Sequence, residues 1–213
     1  MATKTGNVLF IVDNSDDDWK VLNYLAEWSE ISHKFDIATG YFEVGALLAL
    51  HGKWQKLDQI RILMGDEVTK RTHRALVEGL ARVGQLLDDS IEREKQTNDF
   101  LTGVDDIVKA VASGKIQCRV YTKKKFHAKA YITHSKLAVV GSSALVGSSN
   151  FTFPGLTGNV ELNVQLRREV EELQQWFDAH WEEAEDASVE VLKVMERQTR
   201  NYLPFEVYAK SLQ

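Results

Sequence analysis

Lys125-Phe126-His127-Ala128-Lys129-Ala130-Tyr131-Ile132, followed downstream by Gly147-Ser148-Ser149-Asn150, decides the reading of this chain. Side chains alternate along an extended segment, so His127 and Lys129 leave the same face with one small alanine between them. An imidazole able to act as a nucleophile sits beside a fixed cation. The turn that follows is rich in short hydrogen-bonding side chains. This combination is suited to holding and attacking a phosphate, and phosphodiester chemistry is the leading expectation.

Strands are expected on both sides of that stretch. In Lys115-Ile116-Gln117-Cys118-Arg119-Val120-Tyr121, Ile116, Cys118 and Val120 share one strand face, and Cys118 reads as a small buried apolar residue. Gly141-Ser142-Ser143 echoes the later turn but lacks its asparagine, so it reads as a turn between two strands. In residues 159–166 valines and leucines take one face, while Asn159, Glu161, Asn163 and Gln165 take the other. That polar face fits the lining of a site and equally an edge strand facing water.

Upstream, residues 7–12, 35–42 and 59–64 read as strands, with an apolar helix over 44–50. The run Asp16-Asp17-Asp18 fits a helix start, continued by Trp19, Leu22, Leu25 and Trp28 at helical spacing. Residues 70–111 read as charged helix with a stripe of Leu76, Leu80, Val83 and Leu87. Val170, Leu173, Phe177 and Trp181 mark a later helix, on which His180 reads as a packing residue; Val189, Leu192 and Met195 mark another. Strands alternating with helices, then a cluster of strands, imply an α/β fold with a mixed β-sheet flanked by helices and a C-terminal helical extension.

The 213 residues suffice for a substantial core. The formal net charge is -5, unlike a protein that coats duplex DNA over a broad surface. Contact with nucleic acid is therefore expected at a local patch, and Arg119, Lys123, Lys124 and Lys125 supply one just before His127. A solvated loop accounts for the same lysines. The single cysteine forms no Cys/His zinc pattern. No apolar run is long enough for a bilayer and residues 1–6 lack the core of a secretion signal, so a cytoplasmic location is expected.

His127-x-Lys129 with Gly147-Ser148-x-Asn150 resembles the motif of the phospholipase D superfamily, most of all its nuclease branch with one motif per chain. Residues 36–42 and the phrase Ser148-Ser149-Asn150-Phe151-Thr152 are similar to that branch as well. His134 stands where the family has an aspartate of structural role, and it reads as a strand-end residue in that place. The resemblance implies a phospholipase D-like domain, expected over 1–185; the helical pattern beyond it and the start of a new helix after Pro204 make 186–213 an expected helical extension that could lead into a further domain. It implies His127, Lys129, Ser148, Asn150 and Glu161 as catalytic residues, with Glu161 accepting a hydrogen bond from Nδ1 of His127 so that Nε2 faces phosphorus. Arg119, Lys123, Lys124, Lys125 and Ser149 are the expected substrate-binding residues.

The implied activity is a metal-independent nuclease without cofactor, acting as a homodimer through a phosphohistidine. Its expected substrate is DNA, with RNA as the alternative, and a helicase or specificity domain is an expected companion in the same protein. Two other functions compete. One is an inactive module for dimerisation and nucleic-acid docking. The other is a phospholipid phosphodiesterase, against which the lack of a membrane segment or basic amphipathic helix argues.

Overall fold

The computed structural model describes residues 10–16, 20–65 and 100–193. The first part carries β1 (Ile11–Val12), α1 (Val21–Ile31), β2 (Ser32–Thr39), α2 (Val44–Ala49) and β3 (Gln59–Gly65). The second carries α3 (Phe100–Ala112), β4 (Ile116–Tyr121), β5 (Ala130–Ser135), β6 (Ser142–Gly147), α4 (Phe153–Thr157), β7 (Asn163–Leu166), α5 (Val170–Glu183) and β8 (Glu185–Asp186). The stripe expected at Leu76 to Leu87, residues 7–9, Asp17 to Trp19 and Met195 lie outside the described residues.

The strands form one sheet in the order β1-β7-β6-β5-β2-β3-β4-β8. β2, β3 and β4 run parallel, whereas β5, β6 and β7 are antiparallel to their neighbours. β2 and β3 are buried along nearly their whole length because helices cover both faces of the parallel half. On one face α1, α2 and α3 pack a core that includes Leu25, Leu47, Ile107 and Tyr131, and Ala187 and Val191 join it. On the other, Val170, Phe177 and Trp181 of α5 recur at helical spacing and bury against Ala38, Leu63, Phe126 and Ile132.

Helix α1 starts later than the acidic run suggests. Its first turn holds no acid, and Lys20 at its N-terminus makes no capping bond. Asn14, with φ 65°, supplies the cap from seven residues upstream: its Oδ1 accepts from the Val21 N–H at 2.9 Å.

A buried ion cluster fastens α5 to the sheet. Asp36 on β2 receives Nε and Nη2 of Arg61 on β3 at 2.7 and 2.6 Å, and the same Nη2 reaches Asp178 on α5 at 2.6 Å. Gln174 donates to Asp36 at 2.9 Å, and Lys34 lies 3.0 Å away. The Arg61 guanidinium lies over the rings of Phe177 and Trp181. His134, near the end of β5, joins this cluster. It meets Gln174 at 2.8 Å and Ser142 at 3.1 Å, with Asp36 at 3.8 Å. The Asp36 carboxylate of β2 thus stands diagonally across the strand pair from His134.

Candidate active site

Three strand ends meet at one edge of the sheet. Ala38 pairs with Ala130, and Ala130 with Val146. The carboxyl end of β2, the amino end of β5 and the carboxyl end of β6 are therefore side by side. β2 is also where the parallel half gives way to the antiparallel half, a switch point of the kind at which open α/β sheets bind ligands. His127 and Lys129 lie in the extended residues just before β5, and the Gly147 N–H donates to the Lys129 carbonyl at 3.1 Å.

The loop after β6 is knitted to the loop after β2. Phe42 and Phe151 form a parallel bridge with their rings stacked, and the Glu43 N–H donates to the Phe151 carbonyl. Thr39 Oγ1 accepts from the Phe151 N–H at 2.9 Å and donates to the Tyr41 carbonyl at 2.6 Å. The Tyr41 N–H donates to Asn150 Oδ1 at 3.1 Å. With Oδ1 committed to the backbone, the two N–H donors of the Asn150 amide are the part suited to an anion. Gly147 is required where β6 meets the chain entering β7, since a Cβ there would overlap the Leu162 carbonyl oxygen.

Lys129 is only 9 % exposed, and its Nζ lies 2.8 Å from His127 Nδ1 and 3.0 Å from the His127 carbonyl. Burial pulls the Lys129 ammonium below its ordinary value and the Lys125 charge adds to this, while the Glu161 carboxylate opposes them. An ammonium can only donate, so Nδ1 is the acceptor and the ring proton belongs on Nε2. The Glu161 contact expected at Nδ1 is replaced by Lys129. The Glu161 carboxylate instead accepts from Ser148 Oγ, and from Asn159 Nδ2 at 3.3 Å.

The structure brings His127, Lys129 and Asn150 together, with Ser148 and Glu161 joined beside them. It moves others away. Ser149 is fully buried: its Oγ accepts from Asn163 Nδ2 at 2.9 Å and its carbonyl from the Tyr131 hydroxyl at 2.8 Å, so its side chain holds the loop and does not face substrate. Arg119 is also corrected. Its Nη1 donates to the Trp181 carbonyl at 2.6 Å and its guanidinium lies over the Trp181 ring, which commits it to α5. Lys123 pairs with Glu183 at 3.3 Å, whereas Lys124 and Lys125 are exposed next to His127.

The polar face read over 159–166 turns inward only in its second half, with Asn159 exposed and Glu161 half-buried. Asn163 and Gln165 are buried, whereas Val160 and Leu162, on either side of Glu161, are 90 % and 59 % exposed. Asn163 ties β7 to Ser149 and to the Val12 carbonyl, a bracing role that the alternating pattern alone did not reveal. Thr39, Gly40 and Tyr41 were missed as parts of the site. The signal available was a glycine directly after a buried strand. Among the described residues no three His, Cys, Asp or Glu side chains gather as a metal site would need, and no helix is long and apolar enough to cross a membrane.

Residues 24–181 match the family described as cardiolipin synthase, PLD-like domain. Among solved structures the chain is similar to phosphatidylserine synthase from Haemophilus influenzae (13% identity, TM-score 0.51, covering 95% of this chain and 46% of that one). It is similar to polyphosphate kinase from Porphyromonas gingivalis (6% identity, TM-score 0.51, 93% and 30%). A third similar structure is Nuc, a phospholipase D family member from Salmonella typhimurium (15% identity, TM-score 0.48, 83% and 95%). At such identities the first two likenesses speak for the fold alone. No curated protein matches the chain.

Proposed function

The chain belongs to the phospholipase D-like family, and from that premise we propose that it is a metal-independent nuclease acting on DNA. The observation that carries this is the convergence of His127, Lys129 and Asn150 on one sheet edge, with exposed Lys124 and Lys125 alongside. Those lysines offer the local positive patch that a chain of net charge -5 needs for a polyanion.

In the proposed reaction Lys129 leaves His127 Nδ1 for the phosphate and the ring proton passes from Nε2 to Nδ1; Nε2 then attacks phosphorus, forming a P–N bond as the P–O bond to the leaving oxygen breaks. His127 of a second subunit gives that oxygen its proton. The same imidazole then takes a proton from water, whose oxygen displaces the first histidine from phosphorus. Lys129, Ser148 and Asn150 hold the non-bridging oxygens as charge builds. Removing one such donor costs about 3 kcal/mol of barrier, on the order of a hundredfold in rate. The cationic Lys129 pair supplies the charge stabilisation that metal ions give in other nucleases.

The test is labelled single- and double-stranded DNA incubated in EDTA with wild type and His127→Ala. Cleavage by wild type alone is expected; cleavage that appears only on adding Mg²⁺ would sink the scheme. Mixing His127→Ala chains with wild type tests the shared site. Heterodimers as active as wild type would show that one histidine suffices.

Exposed Val160 and Leu162 beside Glu161 favour a second reading, a phospholipid phosphodiester as substrate. Hydrolysis of dispersed phosphatidylcholine with no cleavage of DNA would select it.

A further inference from the structure

Several glycines omit a side chain so that backbones can close. A Cβ on Gly65 would overlap the Phe126 carbonyl oxygen, and one on Gly155 would come within 2.5 Å of the Asn150 carbonyl oxygen. Gly40 is different. A Cβ there would lie 3.3 Å from Asn150 Oδ1, 3.4 Å from Lys129 Nζ and 3.6 Å from the His127 Cα. All three neighbours belong to the proposed site, and the two nearest are the polar ends of side chains.

We propose that Gly40 is a positioning residue whose bare Cα is the floor of a phosphate seat. Its lack of a side chain lets the Lys129 ammonium and the Asn150 amide close over one hollow beside His127. The proposal rests on reading this site as one that binds a phosphodiester. The backbone does not demand glycine here: the described glycines with positive φ are Gly52, Gly114 and Gly141. An alanine is therefore tolerable in conformation, and what it changes is space.

The consequence follows from the two contacts. At 3.3 Å from a methyl carbon Asn150 Oδ1 is closer than ordinary van der Waals contact and must give by a few tenths of an ångström, while Lys129 Nζ at 3.4 Å is brought to the limit of ordinary contact. That shift loosens the bond from the Tyr41 N–H to Asn150 Oδ1, which fixes which way the amide presents its donors. Lys129 Nζ, held by His127 Nδ1, loses the free space on its Gly40 side. Donors that must meet a phosphate lose effect when displaced by a fraction of an ångström.

The experiment compares wild type, Gly40→Ala and Gly158→Ala, the last a control whose Cβ would meet only the Pro154 carbonyl oxygen, at 4.0 Å. Inorganic phosphate binding is measured by NMR titration, diester turnover in EDTA by product release, and folding by thermal melting. Gly40→Ala is expected to melt within a few degrees of wild type and to bind phosphate about tenfold more weakly. In an Asn150→Ala background the same substitution should add much less. Gly158→Ala should match wild type. A folded Gly40→Ala that binds phosphate as wild type does would overturn the proposal. So would failure of Gly40→Ala to fold, since the contact is assigned to side-chain ends that can yield. Wild type that binds phosphate but cleaves no diester would sink the nuclease reading and leave the Gly40 comparison readable.

Discussion

Lys129 Nζ holds His127 at two points, 2.8 Å from Nδ1 and 3.0 Å from the carbonyl of the same residue. One buried cation thereby sets both the ring's orientation and its tautomer. The arrangement places the proton on Nε2, the nitrogen that has to be bare in the proposed attack on phosphorus. For the proposed reaction, an arriving phosphate would have to draw Lys129 away from Nδ1 so that the ring proton can move there.

Nitrogen-15 NMR of the histidines at alkaline pH checks this. Wild type should show His127 with the proton on Nε2, and inorganic phosphate should move the population towards Nδ1–H. Lys129→Met should lose the preference and lower turnover about a hundredfold. A tautomer unaffected by either change would refute the exchange.

The Asp36–Arg61 pair should dominate stability. Removing one partner of a buried pair costs about 3–5 kcal/mol, because the other charge stays buried and unpaired. Asp36→Ala is expected to lose that much in urea unfolding, while a surface change such as Lys124→Ala should lose almost nothing.

The acid dependence has a definite sign. Burial opposes the Asp36 carboxylate, but its bonds to Arg61 and its contact with His134 outweigh burial and hold it far below the usual carboxylate range. A carboxyl lowered in the folded state contributes stability that is fully present above its unfolded value of about 3.9 and is lost as pH falls below that. Acid unfolding of wild type should therefore steepen below about pH 4, and Asp36→Asn should remove that component.

Ser149 and Lys125 should separate bracing from binding. Ser149→Ala removes the acceptor of Asn163 Nδ2 and should cost about 1 kcal/mol of stability with KM unchanged. Lys125→Ala should leave stability intact, weaken DNA binding, and reduce the slope of binding against salt by about one.

Cys118 is buried, and burial pushes its thiol up to about 12. A thiol reagent such as Ellman's should leave the folded protein unmodified at neutral pH and react once urea unfolds it. Rapid reaction of the native protein would contradict the packing of Cys118 with Ala187 and Val191 in the core.

The residues that neighbour one another in sequence made much of this legible. Alternation in β4 and the spacing of Val170, Phe177 and Trp181 announced buried faces, and both are buried as read. The alternation over 159–166 was harder. A period of two separates a strand's faces but does not say which one the fold covers, and here the polar Asn163 and Gln165 went inside. Arg119 and Lys123 likewise read as part of a basic patch, because the sequence gives no sign of the carbonyl on Trp181 or the carboxylate on Glu183 that engages each.

The sequence by itself determined the chemistry on offer: an imidazole and a cation two residues apart, then a short turn ending in asparagine. Local spacing was enough, because an extended backbone puts such neighbours within reach. Only the tertiary structure decided which groups meet. Gly40 and Tyr41 come to Asn150 from more than a hundred residues away, and Lys129 rather than Glu161 takes Nδ1 of His127. Those contacts depend on how three strand ends are brought together, which no local pattern in the chain encodes.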